Sequence, residues 1–431
     1  MTDVISLLAS RIVHLRRRSY DKDASASIQL ATPGILLGTI HPAPSAIEVA
    51  NIDSSVSTTF PFVDLRAQYR AIKLQIDAAI ERVMDSQHFI LGPEVESFER
   101  EVANYCSSRF AVACASGSDA LLLALMALDV GPGDEVVTTP FTFVATAGAV
   151  VRLGARPVFI DIDPNTYNID STKLQSAITS KTRAIIPVHL YGMAAEMATI
   201  LEIATRSSVP VVEDAAQAVG ATYADRRVGS LGRCGCFSFF PSKNLGGAGD
   251  GGMLTINDEE LADTLRFLHL HGGRAKYEYQ RVGLNSRLDA LQAAILRVKL
   301  RHLDSWVAGR KRKAERYAEL FHDRGLTDIV HMPFVAANCS HVYRQYVIRA
   351  PDRDALRAYL REHGVPSEVY YPTPLHLQPA FHGLGYKPGD LPESEAASRE
   401  VLALPIFPEM TDDQQRLVID LMAAFYRDRR R

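Results

Sequence analysis

From Phe62 onward, the chain alternates short, almost unbroken apolar runs with longer amphipathic segments. The first two amphipathic segments predict helices over Tyr69–Asp85 and Pro93–Cys106. The apolar runs that follow are FAVAC (110–114), EVVTT (135–139), PVFIDI (157–162), AIIPV (184–188) and PVVED (210–214). Runs with so few polar interruptions are typical of strands that are covered on both faces. Their alternation with helices predicts an α/β fold around a mainly parallel sheet.

The pattern divides the chain into three parts. Residues 1–58 are rich in Ser, Ala and Pro without sustained periodicity, so we expect a disordered extension, with an organellar presequence as the alternative. The basic stretch Arg11–Arg18 is not followed by the apolar core of a secretory signal. Residues 59–298 are predicted to form the large α/β domain. Residues 299–431 are predicted to form a linking helix over Lys299–Arg324 and a smaller C-terminal α+β domain.

Composition excludes several classes of protein. The chain has 431 residues and a formal net charge of −3, which gives no electrostatic footprint for nucleic acid. No apolar run reaches the roughly 18 residues that a membrane helix needs. Five cysteines, an odd count, indicate a reducing compartment and therefore a cytoplasmic protein. Cys234 and Cys236 have no second pair at zinc spacing, so no metal site is expected.

Lys243 follows an apolar, strand-like run and precedes a glycine-rich turn, in the segment FSFFPSKNLGGAGDGG. A lysine at the end of such a run is unusual, because its charged form resists burial. Desolvation would lower the pKa of the amine and favour the neutral form, which attacks an aldehyde. Taken alone, Lys243 is more simply explained as a surface lysine whose aliphatic stem is buried.

Three further segments place polar or aromatic residues after predicted strands, where open parallel sheets bind ligands. Asp214 ends the run VPVVED, and its carboxylate could pair with a protonated pyridine nitrogen or cap a following helix. Gln217 could lie beside the same ring. In ACASGSDALLLAL, a turn before a helix offers backbone N–H groups and the Ser118 hydroxyl to a phosphate. In TTPFTFVATAGAV, Phe143 could cover one face of a ring or simply pack.

Each segment is weak evidence by itself, but their order along one chain is specific. The sequence resembles the DegT/DnrJ/EryC1/StrS family of sugar aminotransferases from about Phe62 to the C-terminus. The matching stretches are GPGDEVVTTPFTFVATA, GARPVFIDIDPNTYNID, AIIPVHLYG, VVEDAAQAVGA, SFFPSKNLGGAGDGG, VGLNSRLDALQAAIL and VYYPTPLHLQ. The resemblance implies the aspartate-aminotransferase-like fold, pyridoxal-phosphate fold type I, with a smaller C-terminal α+β domain. It also implies pyridoxal 5'-phosphate as the cofactor.

The resemblance implies roles for individual residues at the cofactor. Lys243 matches the lysine that holds the cofactor as a Schiff base, and Asp214 matches the partner of the pyridine nitrogen. Gln217 matches a glutamine packed beside the ring, and Phe143 an aromatic residue over it. The phosphate ligands would be Gly117, Ser118, Ser238 and Asn285. Asn285 matches an asparagine that reaches the cofactor of the neighbouring subunit, which implies a homodimer with shared active sites.

The resemblance also implies that glutamate donates the amino group and that a keto sugar attached to a nucleotide accepts it, in amino-sugar biosynthesis. The strings NSRLD and YYPTPLHLQ are more similar to members that act on 3-keto sugars, with a 4-keto sugar as the alternative. A hexuronate acceptor would need a nearby cation, for which the candidates are Arg274, Lys276 and Arg281, although each is more simply a solvated loop residue. The other substrate candidates are Phe89, His189, Tyr371 and His376. Many members have Glu where this chain has Gly148, so a substrate contact by that side chain is not expected here.

Three other functions are compatible with a chain of this kind. A non-catalytic, cofactor-binding regulatory homologue would be expected to lose the lysine, and Lys243 is present. A dehydratase of the same fold has histidine in place of that lysine, so Lys243 argues against this function as well. A nucleotide-binding dehydrogenase would need G-x-G-x-x-G after the first strand, and this chain has none there. We therefore expect a pyridoxal-phosphate-dependent aminotransferase.

Overall fold

The computed structural model describes residues 60–429, and the predicted extension, residues 1–58, lies outside this range. The helices are α1 (Leu65–Ser86), α2 (Pro93–Cys106), α3 (Gly117–Ala127), α4 (Ala145–Arg152), α5 (Leu174–Ala177), α6 (Met197–Arg206), α7 (Glu259–Leu268), α8 (Ala290–Leu300), α9 (Leu303–Asp323), α10 (Arg353–Glu362), α11 (Pro392–Glu400) and α12 (Asp412–Arg429). The strands are β1 (Phe110–Cys114), β2 (Glu135–Thr138), β3 (Arg156–Phe159), β4 (Thr182–Ile185), β5 (Val212–Asp214), β6 (Thr222–Tyr223), β7 (Arg226–Arg227), β8 (Cys234–Ser238), β9 (Gly252–Ile256), β10 (Gly273–Ala275), β11 (Glu278–Tyr279), β12 (Tyr346–Arg349) and β13 (Val401–Leu404).

In this part of the chain, seven strands form one large sheet in the order β1–β9–β8–β5–β4–β2–β3. Parallel bridges from Ile185 to Val211 and from Val188 to Asp214 join its two hydrogen-bonded groups of strands. All neighbouring strands are parallel except for β9, which runs antiparallel to β1 and β8. The prediction of a mainly parallel sheet is confirmed. The sequence pattern did not predict β9, which follows the glycine-rich turn after Lys243.

Both faces of the sheet are covered, which explains why its strands read as continuous apolar runs. Along β1, Ala111 and Ala113 belong to one buried core, while Val112 and Cys114 belong to another. The first core takes side chains from α1, α2, α6 and α8, and the second takes them from α3, α4 and α7. A strand between two such layers has no solvent face on which polar residues would alternate.

The predicted elements overlap the observed ones, but the strands predicted over 157–162 and 184–188 end three residues earlier, at Phe159 and Ile185. Helix α1 begins at Leu65 because Asp64 caps it, and the N–H of Ala67 donates to the Asp64 carboxylate (2.9 Å). The single helix predicted over Lys299–Arg324 is wrong at its start, since α8 ends at Leu300 and α9 begins at Leu303. The chain turns between them without a Gly or Pro, so the residue pattern does not mark the break.

Helix α9 and the residues after it share a third buried core, which contains Tyr317, Tyr346 and Phe425. Strands β12 and β13 pair antiparallel, with Tyr346 opposite Leu404, and α10 packs against α12. Phe60, the first described residue, is buried in the same core. The division of the chain at residues 298/299 remains a prediction.

A further apolar cluster holds β12 and β13 against the large sheet. It joins Phe141 and Ile162, which follow β2 and β3, to Val347 and Ala403. This packing brings C-terminal segments close to the carboxyl ends of the parallel strands, where α/β sheets bind ligands. No helix within residues 60–429 is long and apolar enough to cross a membrane.

Candidate active site

A cavity of about 620 Å³ lies at the carboxyl ends of the parallel strands. Its walls come from the residues that end or follow β1, β2, β5 and β8, and from the C-terminal segments 344–345 and 369–371. The predicted residues on its wall are Gly117, Ser118, Phe143, Asp214, Gln217, Ser238, Lys243 and Tyr371. Tertiary packing therefore collects into one place most of the residues that the sequence placed in separate turns.

Lys243 lies on the cavity wall, in the turn after β8. Its backbone N–H donates to the carbonyl of Phe240 (2.8 Å), which closes a tight turn between the strand and the lysine. The pKa of the Lys243 amine is lowered to about 7, chiefly because burial disfavours the charged form, while Arg344 adds to the shift and Asp214 opposes it. A substantial fraction of the amine is therefore neutral near neutral pH. The surface-lysine alternative does not fit this position.

Asp214 ends β5 and is 5% exposed. Thr146 Oγ1 donates to its Oδ2 (2.7 Å), and the N–H of Ala216 donates to its Oδ1 (3.2 Å). Burial raises the pKa of the carboxyl, although both hydrogen bonds oppose the rise. The helix-cap alternative is wrong, because the chain continues from β5 to β6 without a helix. No basic nitrogen within residues 60–429 forms an ion pair with Asp214, so the buried carboxylate is short of a cation.

Gln217 and Tyr371 are joined on the same wall. Gln217 Nε2 donates to the Tyr371 hydroxyl (3.0 Å), and Gln217 Oε1 accepts from the N–H of Tyr191 (2.8 Å). Because both ends of the amide are engaged, the Gln217 side chain is held in one orientation. The hydrogen bond also fixes Tyr371, a predicted substrate residue, at the cavity.

The turn between β1 and α3 forms another part of the wall. Ser116 caps α3, since its Oγ accepts from the N–H of Asp119 (3.1 Å). The Ser118 hydroxyl therefore stays out of the cap, beside the positive end of the helix dipole. A Cβ on Gly117 would lie 2.6 Å from the Cβ of Ser238, so only glycine permits this close approach of the turn to β8.

These groups fit pyridoxal phosphate. The start of α3 with its serines suits a phosphate, the buried Asp214 carboxylate suits a protonated pyridine nitrogen, and the Lys243 amine suits an aldehyde. Phe143 lines the cavity and is 56% exposed, so its ring is free to cover a bound ring. The donors and acceptors of the cavity thus match the cofactor that the sequence predicted.

Asn285 and two substrate candidates lie on the surface of this chain, outside the cavity wall. Asn285 is exposed and pairs with Leu270 in an antiparallel bridge. Phe89 is 36% exposed. Arg274 belongs to the exposed β10–β11 hairpin, and its guanidinium lies over the Phe267 ring (5.0 Å). Of the other two cations proposed for a hexuronate, Lys276 is exposed in the same hairpin region and Arg281 pairs with Asp129.

His189 and His376 are buried away from the cavity, so the substrate contacts predicted for them do not fit the structure. His189 Nδ1 accepts from the N–H of Ala195 (3.1 Å) and Nε2 lies 2.9 Å from Glu213, so Nε2 carries the proton and donates to the carboxylate. His376 Nε2 lies 3.2 Å from Glu395. The sequence pattern of a histidine after an apolar run is the same whether its ring is packed in the core or contacts a ligand.

Several residues on the cavity wall were not singled out from the sequence, and three of them matter for its chemistry. They are Thr146, Arg344 and Gln345. Thr146 holds Asp214, and the Thr142 hydroxyl lies 3.1 Å from that of Thr146. Arg344 is 7% exposed, and its Nη2 donates to Ser242 Oγ (2.9 Å). An arginine within the strand-like run HVYRQYVI is as unusual as Lys243 after its own run, and that pattern could have identified it.

A second cleft, of about 680 Å³, opens in the C-terminal part of the chain. Its wall is dominated by charged side chains. Three of its arginines each form an ion pair with a carboxylate, in the pairs Arg349–Glu400, Arg353–Asp354 and Arg429–Asp352. These charges largely neutralise one another, and the wall carries no lysine. The cavity around Lys243 is therefore the candidate active site.

The profile of the DegT/DnrJ/EryC1/StrS aminotransferase family matches residues 70–423. The chain is 51% identical over 367 residues to the "Pleiotropic regulatory protein" of Geobacillus stearothermophilus, covering 85% of this chain and 98% of that protein. It is 46% identical over 348 residues to the UDP-2-acetamido-2-deoxy-3-oxo-D-glucuronate aminotransferase of Pseudomonas aeruginosa, covering 80% and 95% of the two chains.

Solved structures share the fold. The crystal structure of Streptomyces venezuelae DesV in complex with a ketimine intermediate superposes with a TM-score of 0.82 at 43% identity, covering 85% of this chain and 98% of DesV. The structure of NtdA from Bacillus subtilis, with bound pyridoxamine phosphate (PMP) as cofactor, superposes with a TM-score of 0.78 at 33% identity, covering 86% of each chain.

Proposed function

Because this chain belongs to the DegT/DnrJ/EryC1/StrS aminotransferase family, we propose that it transfers an amino group from glutamate to a nucleotide-linked 3-keto sugar. It is an aminotransferase that uses pyridoxal phosphate. The observation that carries the proposal is the meeting of Lys243, Asp214 and the α3 turn at one cavity. The amino sugar that is formed would enter a surface polysaccharide or a glycosylated metabolite.

Lys243 is the residue that moves protons. When bound, pyridoxal phosphate supplies an aldehyde for the amino group and a ring that accepts electron density from the reacting carbon. With a pKa lowered to about 7, the Lys243 amine is neutral often enough to attack that aldehyde and basic enough to accept a proton. The Nζ of Lys243 would carry the proton that leaves the donor's Cα. In the second half of the reaction, the same amine returns a proton to the sugar carbon.

Asp214 keeps a proton on the pyridine nitrogen. A neutral ring would leave the buried carboxylate unpaired, so protonation of the nitrogen is favoured by the charge pair that it creates. Thr146 donates to Asp214 Oδ2 (2.7 Å), which leaves the Thr146 oxygen as an acceptor for the Thr142 hydroxyl (3.1 Å). This chain of hydroxyl groups orients the carboxylate without neutralising it.

The preference for a 3-keto sugar rests on likeness rather than on geometry. The Pseudomonas aeruginosa relative is named for a 3-oxo glucuronate carried on UDP. The loop YYPTPLHLQ, which is similar in such relatives, contributes Tyr370 and Tyr371 to the cavity wall. Both tyrosine hydroxyls and the ring edges suit a sugar, which presents hydroxyl groups together with small apolar patches.

The assembly that we propose is a homodimer with shared active sites. Asn285 is a proposed phosphate ligand, yet in this chain it is exposed and lies outside the cavity wall. An exposed residue of this kind can serve the cavity of a second copy instead of its own. Phe89 and Ile90, which are 36% and 49% exposed, offer apolar side chains to such an interface.

The test is an amino-transfer assay with a panel of nucleotide-linked keto sugars. Glutamate is supplied as the donor, and mass spectrometry follows both the amino sugar and 2-oxoglutarate. We expect amination of at least one 3-keto sugar and little amination of its 4-keto isomer. Amination of 4-keto sugars alone would contradict the assigned position, and the absence of 2-oxoglutarate with every acceptor would contradict the donor.

A regulatory role without catalysis is the second function to consider, because the Geobacillus relative carries a regulatory name. The cavity does not favour it. The pKa of Lys243 is lowered, and the buried carboxyl group of Asp214 forms no ion pair within residues 60–429. A protein that only sensed the cofactor would not need an amine that is neutral near pH 7.

A further inference from the structure

Arg344 is a buried cation with most of its hydrogen-bonding capacity unused. Its side chain, 7% exposed, lines the cavity that also contains Lys243. Nη2 donates to Ser242 Oγ (2.9 Å), while Nε and Nη1 are buried without a hydrogen-bond partner in the described part of the chain. Buried donors are almost always satisfied in native proteins, and an unsatisfied charged donor is costly. A bound ligand would remove that cost.

Among residues 60–429, no carboxylate forms an ion pair with Arg344. Burial lowers the pKa of Arg344, and Tyr370 and Tyr371 oppose the shift. The pKa of a second buried cation, Arg310 of α9, is lowered to about 9 chiefly by burial and further by the charge of Arg344, while Glu409 opposes the shift. Unlike Arg310, Arg344 therefore has no carboxylate among the described residues that favours its charged form.

The two carboxylates on the cavity wall do not offset that charge. Asp214 is engaged by Thr146 and by the backbone of Ala216, and it is the expected partner of the pyridine nitrogen. Asp250 is exposed, and neither carboxylate forms an ion pair with Arg344 within residues 60–429. The excess charge is thus left for a ligand.

The backbone holds Arg344 firmly at this place. The N–H of Val342 donates to the carbonyl of Gly192 (2.9 Å), and Asn244 Nδ2 donates to the carbonyl of Val342 (3.1 Å). Gly192 has a φ of +107°, and a Cβ there would lie 3.1 Å from the Arg344 backbone nitrogen. The segment that carries Arg344 is therefore docked on the turn after β4 and on the residue next to Lys243. A guanidinium group whose backbone is held in this way loses little conformational entropy when it binds a ligand.

We infer that Arg344 binds a carboxylate of the substrate, and that this carboxylate belongs to the amino donor. The inference rests on the proposed function, in which glutamate brings carboxylates to the cavity. Nη1 and the second N–H of Nη2 can form the planar fork that matches a carboxylate. The cofactor phosphate is served by the α3 turn and Ser238, and the reacting ketone of the acceptor is neutral. The acceptor's other anions are the nucleotide phosphates and, in a hexuronate, a carboxylate, and the half-reaction with the keto sugar distinguishes them from the donor.

Donor binding at Arg344 would also act on Lys243. The positive charge of Arg344 is one of the causes that lower the pKa of Lys243. A carboxylate at Arg344 offsets that charge, so the amine becomes a stronger base when the donor is in place. The donor would thereby strengthen the base that removes its own proton.

The test uses the holoenzyme and separates the two halves of the reaction by the absorbance of the cofactor. Arg344→Met removes the charge at similar volume, and Arg344→Lys keeps the charge without the planar fork. We expect Arg344→Met to raise the half-saturating glutamate concentration by roughly a hundredfold and Arg344→Lys to raise it less. The half-reaction with the keto sugar should change by less than about threefold. Arg312→Gln, an exposed arginine of α9, is the control and should match the wild type.

A binding measurement keeps the inference testable if the acceptor is wrongly assigned. Glutarate has the two carboxylates of glutamate but no amine, so it can bind without reacting. Calorimetric titration of the holoenzyme should show glutarate binding that weakens in Arg344→Met by a factor similar to that for glutamate. This measurement needs no nucleotide sugar, so it tests Arg344 even if none of the keto sugars in the panel is aminated.

Three outcomes would overturn the inference. Loss of cofactor affinity in Arg344→Met would make Arg344 a ligand of the cofactor phosphate. A defect confined to the sugar half-reaction, and to acidic sugars, would assign the carboxylate to the acceptor. Unchanged glutarate binding with a lower melting temperature of the apoprotein would make Arg344 a structural residue, since removal of an unsatisfied cation should not destabilise the fold.

Discussion

At the scale of single residues, burial sets the chemistry of the cavity. It lowers the pKa of Lys243 and raises that of Asp214, so both groups shift toward their neutral forms while no ligand is bound. Opposite pKa shifts at two neighbouring groups are typical of functional sites that bind a charged ligand. A cofactor with an aldehyde and a basic ring nitrogen suits both groups at once.

The first prediction concerns Lys243. Lys243→Ala should reduce turnover by about a thousandfold or more, because the proton carrier is lost. The fold should persist, since the side chain serves the chemistry rather than the core. Borohydride should attach the cofactor covalently to the wild type but not to the variant, as mass spectrometry of the protein would show. Lys181→Ala, at an exposed lysine, is the control. Turnover within tenfold of the wild type would contradict the assignment.

The second prediction concerns Asp214. Asp214→Asn should slow turnover by about a hundredfold or more with a modest loss of cofactor, because a neutral amide cannot hold the pyridine nitrogen protonated. The raised pKa of Asp214 also implies a pH effect on the apoprotein. A group whose pKa is raised by folding contributes stability at low pH that is lost as the pH rises through its folded-state pKa.

Urea unfolding of both apoproteins across the acid to neutral range measures this effect. The wild type should lose stability relative to Asp214→Asn as the pH rises above the usual aspartate pKa of 3.8. The amide does not titrate and can still accept the hydrogen bond from Thr146. Asp214→Asn is therefore the non-titrating reference for the wild type. A stability difference that does not vary with pH would mean that the Asp214 carboxyl titrates normally in the folded apoprotein.

At the scale of elements, the cavity depends on the close approach of strand ends and one helix start. The turn before α3 lies against the end of β8 so closely that only a glycine fits at position 117. The glycine is thus required by a contact between two elements rather than by the turn's own conformation.

The third prediction follows from that contact. Gly117→Ala should weaken pyridoxal-phosphate binding by roughly tenfold or more, because the new Cβ would lie 2.6 Å from that of Ser238 and must displace it. Fluorescence titration of the apoprotein with the cofactor measures the change. Gly148→Ala is a matched control, since nothing lies within 4 Å of its built Cβ on α4. That change should stabilise the helix by about 0.5–1 kcal/mol and leave binding intact. Unchanged binding in Gly117→Ala would show that Ser238 can move freely.

At the scale of the whole molecule, the proposed dimer and the N-terminal start of the described fold both lead to predictions. In the proposed homodimer, Asn285 of each chain serves the shared site of its neighbour. The described fold starts at Phe60, which is 4% exposed in the C-terminal core. Each feature leads to an experiment on complete chains.

The fourth prediction is complementation between two inactive variants. Asn285→Asp would bring a carboxylate to the phosphate of the partner's cofactor, and like charges there repel. In a heterodimer with Lys243→Ala, one site carries both lesions and the other carries neither. Equal mixing after co-refolding should restore about a quarter of the wild-type activity, since half of the dimers are mixed and each has one intact site. The control pair, Lys243→Ala with Asp214→Asn, should regain nothing, because both residues line the same chain's cavity. Recovery in neither mixture, or a monomer in sedimentation, would contradict the shared site.

The fifth prediction compares two N-terminal deletions. Removal of residues 1–58 should leave the melting temperature and activity near those of the full chain, because Phe60 is retained. Removal of residues 1–61 also deletes Phe60 and should cost about 3 kcal/mol or more of unfolding free energy, as for other buried aromatic side chains. Calorimetry of both proteins measures the difference. Equal destabilisation by the two deletions would mean that residues before 59 also contribute to the fold.

The sequence by itself determined most strands of the large sheet, although not β9, and the positions of Lys243, Asp214 and Gly117. This was possible because the evidence is local: strands buried on both faces show unbroken apolar runs, and the residues just past their ends are the ones that face a ligand. The family resemblance carried by the ordered series of short motifs also implied the cofactor, since each motif lies within one turn of the chain.

The tertiary structure decided everything that depends on partners distant in sequence. The hydrogen bond from Thr146 to Asp214, the unused donors of Arg344, and the burial of His189 and His376 all result from the packing of separate elements. The residue pattern around His189 is the same whether the ring contacts a substrate or Glu213, and the pattern around Asp214 is the same whether a helix follows or not. Only packing decides which groups are desolvated and which partners they meet, and a buried polar group takes its role from those partners.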